Sequence, residues 1–408
     1  MTPRTFRRAV LPAAVAAAMF MATGAQAQIS DDVVKIGILT DMSGPYSSLG
    51  GKGSVVATNL AIEDCLKAEC KGMKVEVLVA DHQNKADIAS AKAREWIDRD
   101  HVDAFADLTN SAAALAVQRL IKEKGVVGLF NGPATTLLTN EECGPTSFHW
   151  MFDTYSSAAG AASALTQAGG KSWYFITVDY AFGHSLEKDA TEQVKAHGGT
   201  VVGAVRHPLN ASDFSSFMLQ AQASKAQVIG LANATQDAVT AIKTAREFGI
   251  TDSGQKLAAL VLQITDVHAI GLPVAQGLIS SEGFYWDADE RTRAFAARFE
   301  KVQNSKPNQV QAGVYSSVLH YLKSVAASKS DAATTVAAKM RELPIDDAVM
   351  RNASIRPDGR VVHDMYLVEV KKPQESKGAW DYYKVIATIP AATAFMPLAQ
   401  SKCPLVKL

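Results

Sequence analysis

Gly37 to Gly51 reads GILTDMSGPYSSLGG: an apolar run, a polar turn-rich segment, and a glycine pair at the mouth of a helix-length stretch that runs to Lys67. This order matches a buried strand delivering the chain to a helix N-terminus, a place where unpaired N–H groups favour an anion. The phosphate-loop reading fails. Gly51-Lys52 is followed by Gly53, not Ser or Thr, and the required upstream glycine is Tyr46. A dinucleotide fingerprint fails as well, because Val56 stands where its third glycine would be. The stretch is therefore read as a loop that holds some other small anion at the carboxyl end of a strand.

The same alternation extends outward. VVKIGILT, KVEVLVA, VDAFADL and VVGLF are separated by helix-length segments at Gly51 to Lys67, Ala86 to Asp100 and Ser111 to Gly125. After a helix near Thr154 to Ala168 the pattern restarts with SWYFITVD, TVVGAVRH, AQVIGLAN and KLAALVLQI, separated by helices near Phe182 to His197, Asp213 to Ala223 and Thr235 to Phe248. Repeated βα order predicts an α/β fold of two Rossmann-like lobes, each a parallel sheet flanked by helices. The strands GLISSEGFYW and VVHDMYLVEVKK follow both units, so each lobe is expected to take a piece of the late chain.

Residues 1–27 have the form of a signal peptide. Arg4, Arg7 and Arg8 precede the apolar run Ala9 to Ala22, and Ala25-Gln26-Ala27 has the small-x-small pattern of a cleavage site. Cleavage after Ala27 predicts an exported, periplasmic chain starting at Gln28. Removing that leader takes 41 basic residues to 38 against 41 acidic ones, a net charge of −3. With no basic cluster, nucleic acid is not an expected partner. In an oxidising compartment the four cysteines are expected to pair. Four allow three pairings, and the reading taken joins Cys65 to Cys70 and Cys143 to Cys403. No metal site is expected from them, since only one pair is close in sequence and neither of its members sits in a C-x-x-C.

Other strand ends carry similar polar chemistry: Thr109, Asn110 and Ser111; Asn131, Thr135 and Thr136; Asp179, Tyr180 and Phe182. Each could simply cap a helix. Enzyme motifs are missing: there is no G-x-S-x-G, and no H-E-x-x-H. A periplasmic hydrolase is thus the alternative of another class, and no cofactor is expected.

VKIGILTDMSGPYSSLGGKGSVVATNLAIED, the following VEVLVADHQNK and the later VDYAFG resemble a periplasmic leucine/isoleucine/valine-type solute-binding protein of an ABC importer. The resemblance covers nearly the whole mature chain. It implies the type I periplasmic binding fold, two lobes joined by three hinge crossings that close on a ligand, and an ABC permease in the inner membrane as partner of a monomeric protein. Lobe one is expected at 28–148 plus 281–360 and lobe two at 153–279 plus 361–390. Residues 391–408 would form a tail returning toward lobe one.

Carried over by position, the family's carboxylate-binding residues match Asn110, Ser111, Pro133, Ala134 and Thr135, and its leaning aromatic matches Phe182 with Tyr180 close by. Leu49 and Tyr46 stand where amino-acid binders often have one aromatic. Asn233 replaces a second-lobe aromatic, and the acid that meets an ammonium group falls near Gln263, with Asp266 the closest carboxylate. ITDVHAIGL (Ile264 to Leu272) resembles a subset of the family that takes up aromatic or other non-amino-acid carboxylates, with Asp266 and His268 expected to face the cleft. The expected ligand is a small carboxylate, an aromatic acid in preference. Branched-chain amino acid or amide binding, or a ligand sensor for a receptor, are the alternatives.

Overall fold

The structure is a computed structural model and describes residues 1–2 and 29–407, so the leader run and its cleavage position lie outside the described residues. The opening stretch forms β1 (Val34–Thr40), buried along almost its whole length, and leads into α1 (Gly51–Lys67). The two glycines between them answer to packing. A Cβ on Gly50 would lie 2.3 Å from Asp107 Oδ2, and Gly51 has a left-handed φ of 51°.

After α1 come β2 (Val75–Asp81), α2 (Ala86–Glu95), β3 (Ala104–Asp107), α3 (Ser111–Lys124), β4 (Val127–Phe130) and β5 (Ser147–His149). These strands make one parallel sheet in the order β2-β1-β3-β4-β5. The chain continues through α4 (Thr154–Gln167), β6 (Ser172–Val178), α5 (Ala181–Ala196), β7 (Thr200–His207), α6 (Ser215–Ala223), β8 (Val228–Ala232), α7 (Thr235–Glu247) and β9 (Lys256–Ala259). Their strands form a second parallel sheet, β7-β6-β8-β9. Both sheets thus share one strand order and one switch point, between β1 and β3 in the first and between β6 and β8 in the second.

Two short helices, α8 (Ile264–Ile270) and α9 (Leu272–Ala275), lead to β10 (Ile279–Glu282). Three helices not anticipated from the sequence follow: α10 (Glu290–Gln303), α11 (Gln309–Ser328) and α12 (Ala333–Glu342). They return to the first lobe, where α11 lies along α1 so closely that a Cβ on Gly53 would strike the Gln311 side chain. The chain ends with β11 (Ser354–Ile355), β12 (Val361–Val362), β13 (Met365–Val370) and β14 (Tyr383–Ile389). β10, β13 and β14 make an antiparallel sheet on the second lobe, which places Ser280 to Glu282 in that lobe's sheet. The expected strand KLAALVLQI stops at Ala259, since Leu260 to Gln263 turn into α8.

The chain passes between the lobes at Trp150 to Phe152, near Gly283, and at Arg360 to His363. Arg360 is fully buried and ties two of these passages: its guanidinium donates to Trp150 O (2.5 Å), Phe152 O (3.1 Å) and Val361 O (3.0 Å), and pairs with Asp153 (3.3 Å). His363 lies with Nε2 2.7 Å from Met151 O and Nδ1 2.8 Å from Asp364 O. It also lies against Gly283, where an added Cβ would be 3.1 Å from its ring. Burial holds the pKa of His363 down, at about 4, so the ring is neutral.

Both expected disulfides are present, Cys65–Cys70 and Cys143–Cys403. The second spans 260 positions and fastens the tail to the first lobe. Along that tail Phe395 lies under the Arg360 guanidinium (4.5 Å), and Arg356 donates to Met396 O (2.7 Å). A cross-link of this reach acts mostly on the unfolded chain, so Cys143→Ser with Cys403→Ser should cost about 2–4 kcal/mol. The expected reading is a lower denaturant midpoint with unchanged far-ultraviolet circular dichroism.

Candidate ligand-binding cleft

The loop after β1 is shaped by one carboxylate. Asp41 accepts from Gly44 N (2.7 Å), Tyr46 N (2.8 Å) and Asn84 Nδ2 (2.5 Å), which coils the segment and turns Tyr46 and Leu49 inward. From the other lobe Tyr180 precedes α5 and makes no capping bond of its own. Its hydroxyl meets that of Tyr46 at 2.7 Å. Burial raises both phenol pKa values, so each stays a protonated hydroxyl able to donate.

A second pair of hydroxyls bridges the lobes at Thr135 Oγ1 and Ser185 Oγ, 2.7 Å apart. Beside it Thr136 donates to Asp189 Oδ2 at 3.3 Å, a carboxylate that also accepts from Thr154 at 2.5 Å. Burial lifts the Asp189 pKa to about 6.

Between these bridges lies a small cavity. Tyr46, Leu49, Thr109, Ser111, Gly132 and Ala134 line it from the first lobe, and Phe152 from the first crossing. Tyr180, Phe182, Ala234 and Val261 close it from the second lobe. The lining comes from the carboxyl ends of β1, β3, β4, β6, β8 and the segment after β9, straddling both switch points, as expected of an open parallel sheet. None of the lining residues carries a charge. Ser111 supplies the clearest polar handle. Its Oγ accepts from Ala134 N and Thr135 N (3.3 Å each), which leaves its own proton to donate to an acceptor in the cavity.

Of the residues singled out from the sequence, Tyr46, Leu49, Ser111, Ala134, Tyr180 and Phe182 line the cavity. The others do different work. Asn110 caps α3 by accepting from Ala112 N (2.9 Å) and Ala113 N (3.0 Å). Pro133 O accepts from His149 (2.7 Å), and Thr135 joins the interlobe bridge. Asn233 and Gln263 are fully buried behind the lining; Asn233 Nδ2 lies 3.1 Å from His207 Nε2.

Asp266 and His268 do not line the cavity, contrary to expectation. The Asp266 carboxylate is taken up at the start of α8, accepting from Gln263 N at 2.9 Å. His268 lies on the outer face of that helix, stacked on Trp380 at 4.1 Å and bonded to Tyr382 Oη at 2.8 Å. Thr109, Gly132, Phe152, Ala234 and Val261 were missed as site residues. Thr109 stood in a strand-end loop that could have flagged it, whereas Phe152 and Val261 are apolar residues with no local signal.

The periplasmic binding protein family model matches residues 33–379. The chain belongs to this family. A periplasmic binding protein from Burkholderia mallei has a similar structure, with 50% identity, coverage of 92% of this chain and 100% of that one, and a TM-score of 0.89. The chain is also similar to a branched chain amino acid ABC transporter periplasmic ligand-binding protein from Burkholderia xenovorans. That match has 41% identity, covers 91% and 99% of the two chains, and has a TM-score of 0.81. Leu/Ile/Val-binding protein homolog 6 of Brucella suis is 28% identical over 250 residues, and the match spans 59% of this chain and 62% of the relative.

Burial raises the Asp266 pKa from 3.8 to about 7. A carboxyl whose folded pKa is raised lends stability that is fully present below its unfolded pKa and is lost as pH rises through the folded one. Asp266→Asn should therefore flatten the decline of the urea midpoint between about pH 4 and pH 7. An unchanged slope in that window would contradict the assignment.

Proposed function

We propose that this protein is the periplasmic solute-binding component of an ABC importer and captures a small carboxylate between its lobes, with an aromatic acid as the favoured ligand. The observation that carries this reading is the cavity itself, apolar along most of its wall, with the Ser111 hydroxyl at one end and no acidic side chain on its lining to meet an ammonium group. The carboxylate would sit against Ser111 near the start of α3, where dipoles favour negative charge without a basic residue. The rings of Tyr46, Tyr180, Phe152 and Phe182 would hold the body of the ligand. Closed lobes would present the surface that a membrane permease recognises, and the protein would act as a monomer without catalysis. Branched-chain amino acids are the second reading, favoured by the name of the 41% identical Burkholderia xenovorans relative.

Thermal unfolding of ligand-stripped protein tests the choice. At about 100 times its dissociation constant a ligand adds roughly 2.7 kcal/mol, a shift of a few degrees. The expected result is a shift with benzoate and its relatives and none with leucine, isoleucine or valine; the opposite pattern selects the second reading.

The interlobe bond has its own test. Tyr180→Phe keeps the ring and removes the hydroxyl that meets Tyr46, a bond worth about 0.5–1.5 kcal/mol. Dissociation of the bound acid should quicken by roughly 2- to 10-fold with little change in the association rate; unchanged release would show that the hydroxyl pair does not hold the lobes closed.

A further inference from the structure

Asp189 lies where the two lobes meet. It stands on α5 of the second lobe, is fully buried, and accepts through Oδ2 from Thr136 of the first lobe (3.3 Å) and from Thr154 at the start of α4 (2.5 Å). Ser185, one turn earlier on the same helix, makes the neighbouring hydroxyl bridge to the first lobe. The other carboxylate oxygen, Oδ1, has no hydrogen-bond partner among the described residues. Lys188 Nζ stands 3.6 Å from it, beyond hydrogen-bond reach, and is drawn outward to Glu192 at 2.8 Å. A buried carboxyl with one oxygen unpaired is better suited to its neutral form than to its charged one.

A cavity of about 270 Å³ borders this contact. Thr136 and Asn140 wall it from the first lobe, Ser185 and Lys188 from α5, and Met396 and Lys402 from the tail. Parting of the lobes would draw Thr136 away from α5 and open Asp189 to this space and to water. Closure then strips water from a carboxylate, a cost that its protonated form does not bear. Burial is the main cause that raises the Asp189 pKa, against the hydrogen bond from Thr154; Asp153, just ahead of α4, and Glu192 add to the rise, and Lys188 opposes it. Tyr155 of α4 also faces this carboxyl, as a neutral phenol. From the first lobe comes the Thr136 hydroxyl, and Lys402 of the tail is paired with Glu141 at 3.2 Å.

We propose that Asp189 is a latch between the lobes and takes up a proton as they close, so that mild acid strengthens capture of the ligand. The inference rests on the reading that the lobes close on a ligand, and it holds whichever ligand that is. Asp189 is a positioning residue: it does not line the ligand cavity, and it acts through Thr136, two residues after the lining Ala134. Protonation leaves Oδ2 free to accept, so the bonds from both threonines survive it. The sign follows from linkage. The pKa is about 6 with the lobes closed, against 3.8 for a solvated group. The favourable contribution to closure is fully present below the solvated value and is lost as pH rises through the closed one.

The experiment is calorimetric titration of ligand-stripped protein with benzoate and with leucine, at about pH 5 and about pH 7.5, a window in which both probes keep an ionised carboxylate for the most part. The probe that binds should bind about tenfold more tightly at the lower pH. Asp189→Asn copies the protonated carboxyl in shape and charge. It should remove the difference and keep the tighter affinity at both pH values, whereas loss of a merely structural contact would weaken binding equally at both. Equal affinity of the parent at the two pH values overturns the latch, as does a difference that survives Asp189→Asn. A pH-dependent leucine affinity with no binding of benzoate leaves the latch standing and removes the aromatic-acid reading. If neither probe binds, the reading of function fails for both, and small-angle scattering of the free protein decides the latch. A radius of gyration smaller at the lower pH in the parent, and equal at both in Asp189→Asn, supports it; a radius independent of pH in the parent overturns it.

Discussion

The two lobes depend on one buried cation. Arg360 is fully buried, and a charge of this size removed from water costs several kcal/mol unless its donors are satisfied. Three backbone carbonyls and the Asp153 carboxylate satisfy them, and the Phe395 ring covers one face. Because the carbonyls come from the first and last passages between lobes, satisfying the charge means holding those passages together. His363, kept neutral by burial, extends the junction to Met151 and to the chain at Gly283. Hydrogen bonding to backbone makes this junction tolerant of what the two sheets carry at their ends.

The cleft has a different balance of forces. Its walls are mostly apolar, and the lobes meet through neutral hydroxyls, Tyr46 with Tyr180 and Thr135 with Ser185. Such bonds exchange readily with water and contribute little net energy each. A contact of this kind would suit lobes that open and close, as the proposed function requires, whereas ion pairs of equal number would be costly to break in a dry interface. The loops bearing these hydroxyls are rigid for local reasons. Asp41 winds the first loop around its own carboxylate, and Asn110 caps α3 so that Ser111 keeps its place against Ala134 and Thr135.

Much of the fold was legible in the sequence. Apolar runs such as VKIGILT mark strands buried on both faces, and Gly125, in the left-handed conformation with φ 70°, marks the end of α3 as expected. The helices between Glu290 and Glu342 fall outside the strand-helix alternation that marks the two sheets, although α11 is buried along most of its length. Legibility fell at the site. Asp266 and His268 occupy a segment whose resemblance suggested recognition, yet an acid three residues after the start of a helix turn satisfies backbone N–H groups equally well. His268 stacks on Trp380, more than a hundred positions away, and no local pattern announces that partner.

The sequence by itself determined the alternation of strands and helices, the strand ends at which polar loops emerge, the failure of both nucleotide motifs, and cysteines able to pair as they do. These follow from hydrophobic period, turn chemistry and spacing, all local properties of the chain. Only the tertiary structure decided that Arg360 and His363 join the passages between lobes, that Tyr46 meets Tyr180 across 134 positions, and that Phe152 and Val261 belong to the same wall. It also decided which polar side chains are spent within the protein, such as Asn110 and Asp266, and which keep an unpartnered atom, such as Asp189. The physical reason is that satisfaction of a buried polar group is a property of everything that surrounds it, and those surroundings come from distant parts of the chain.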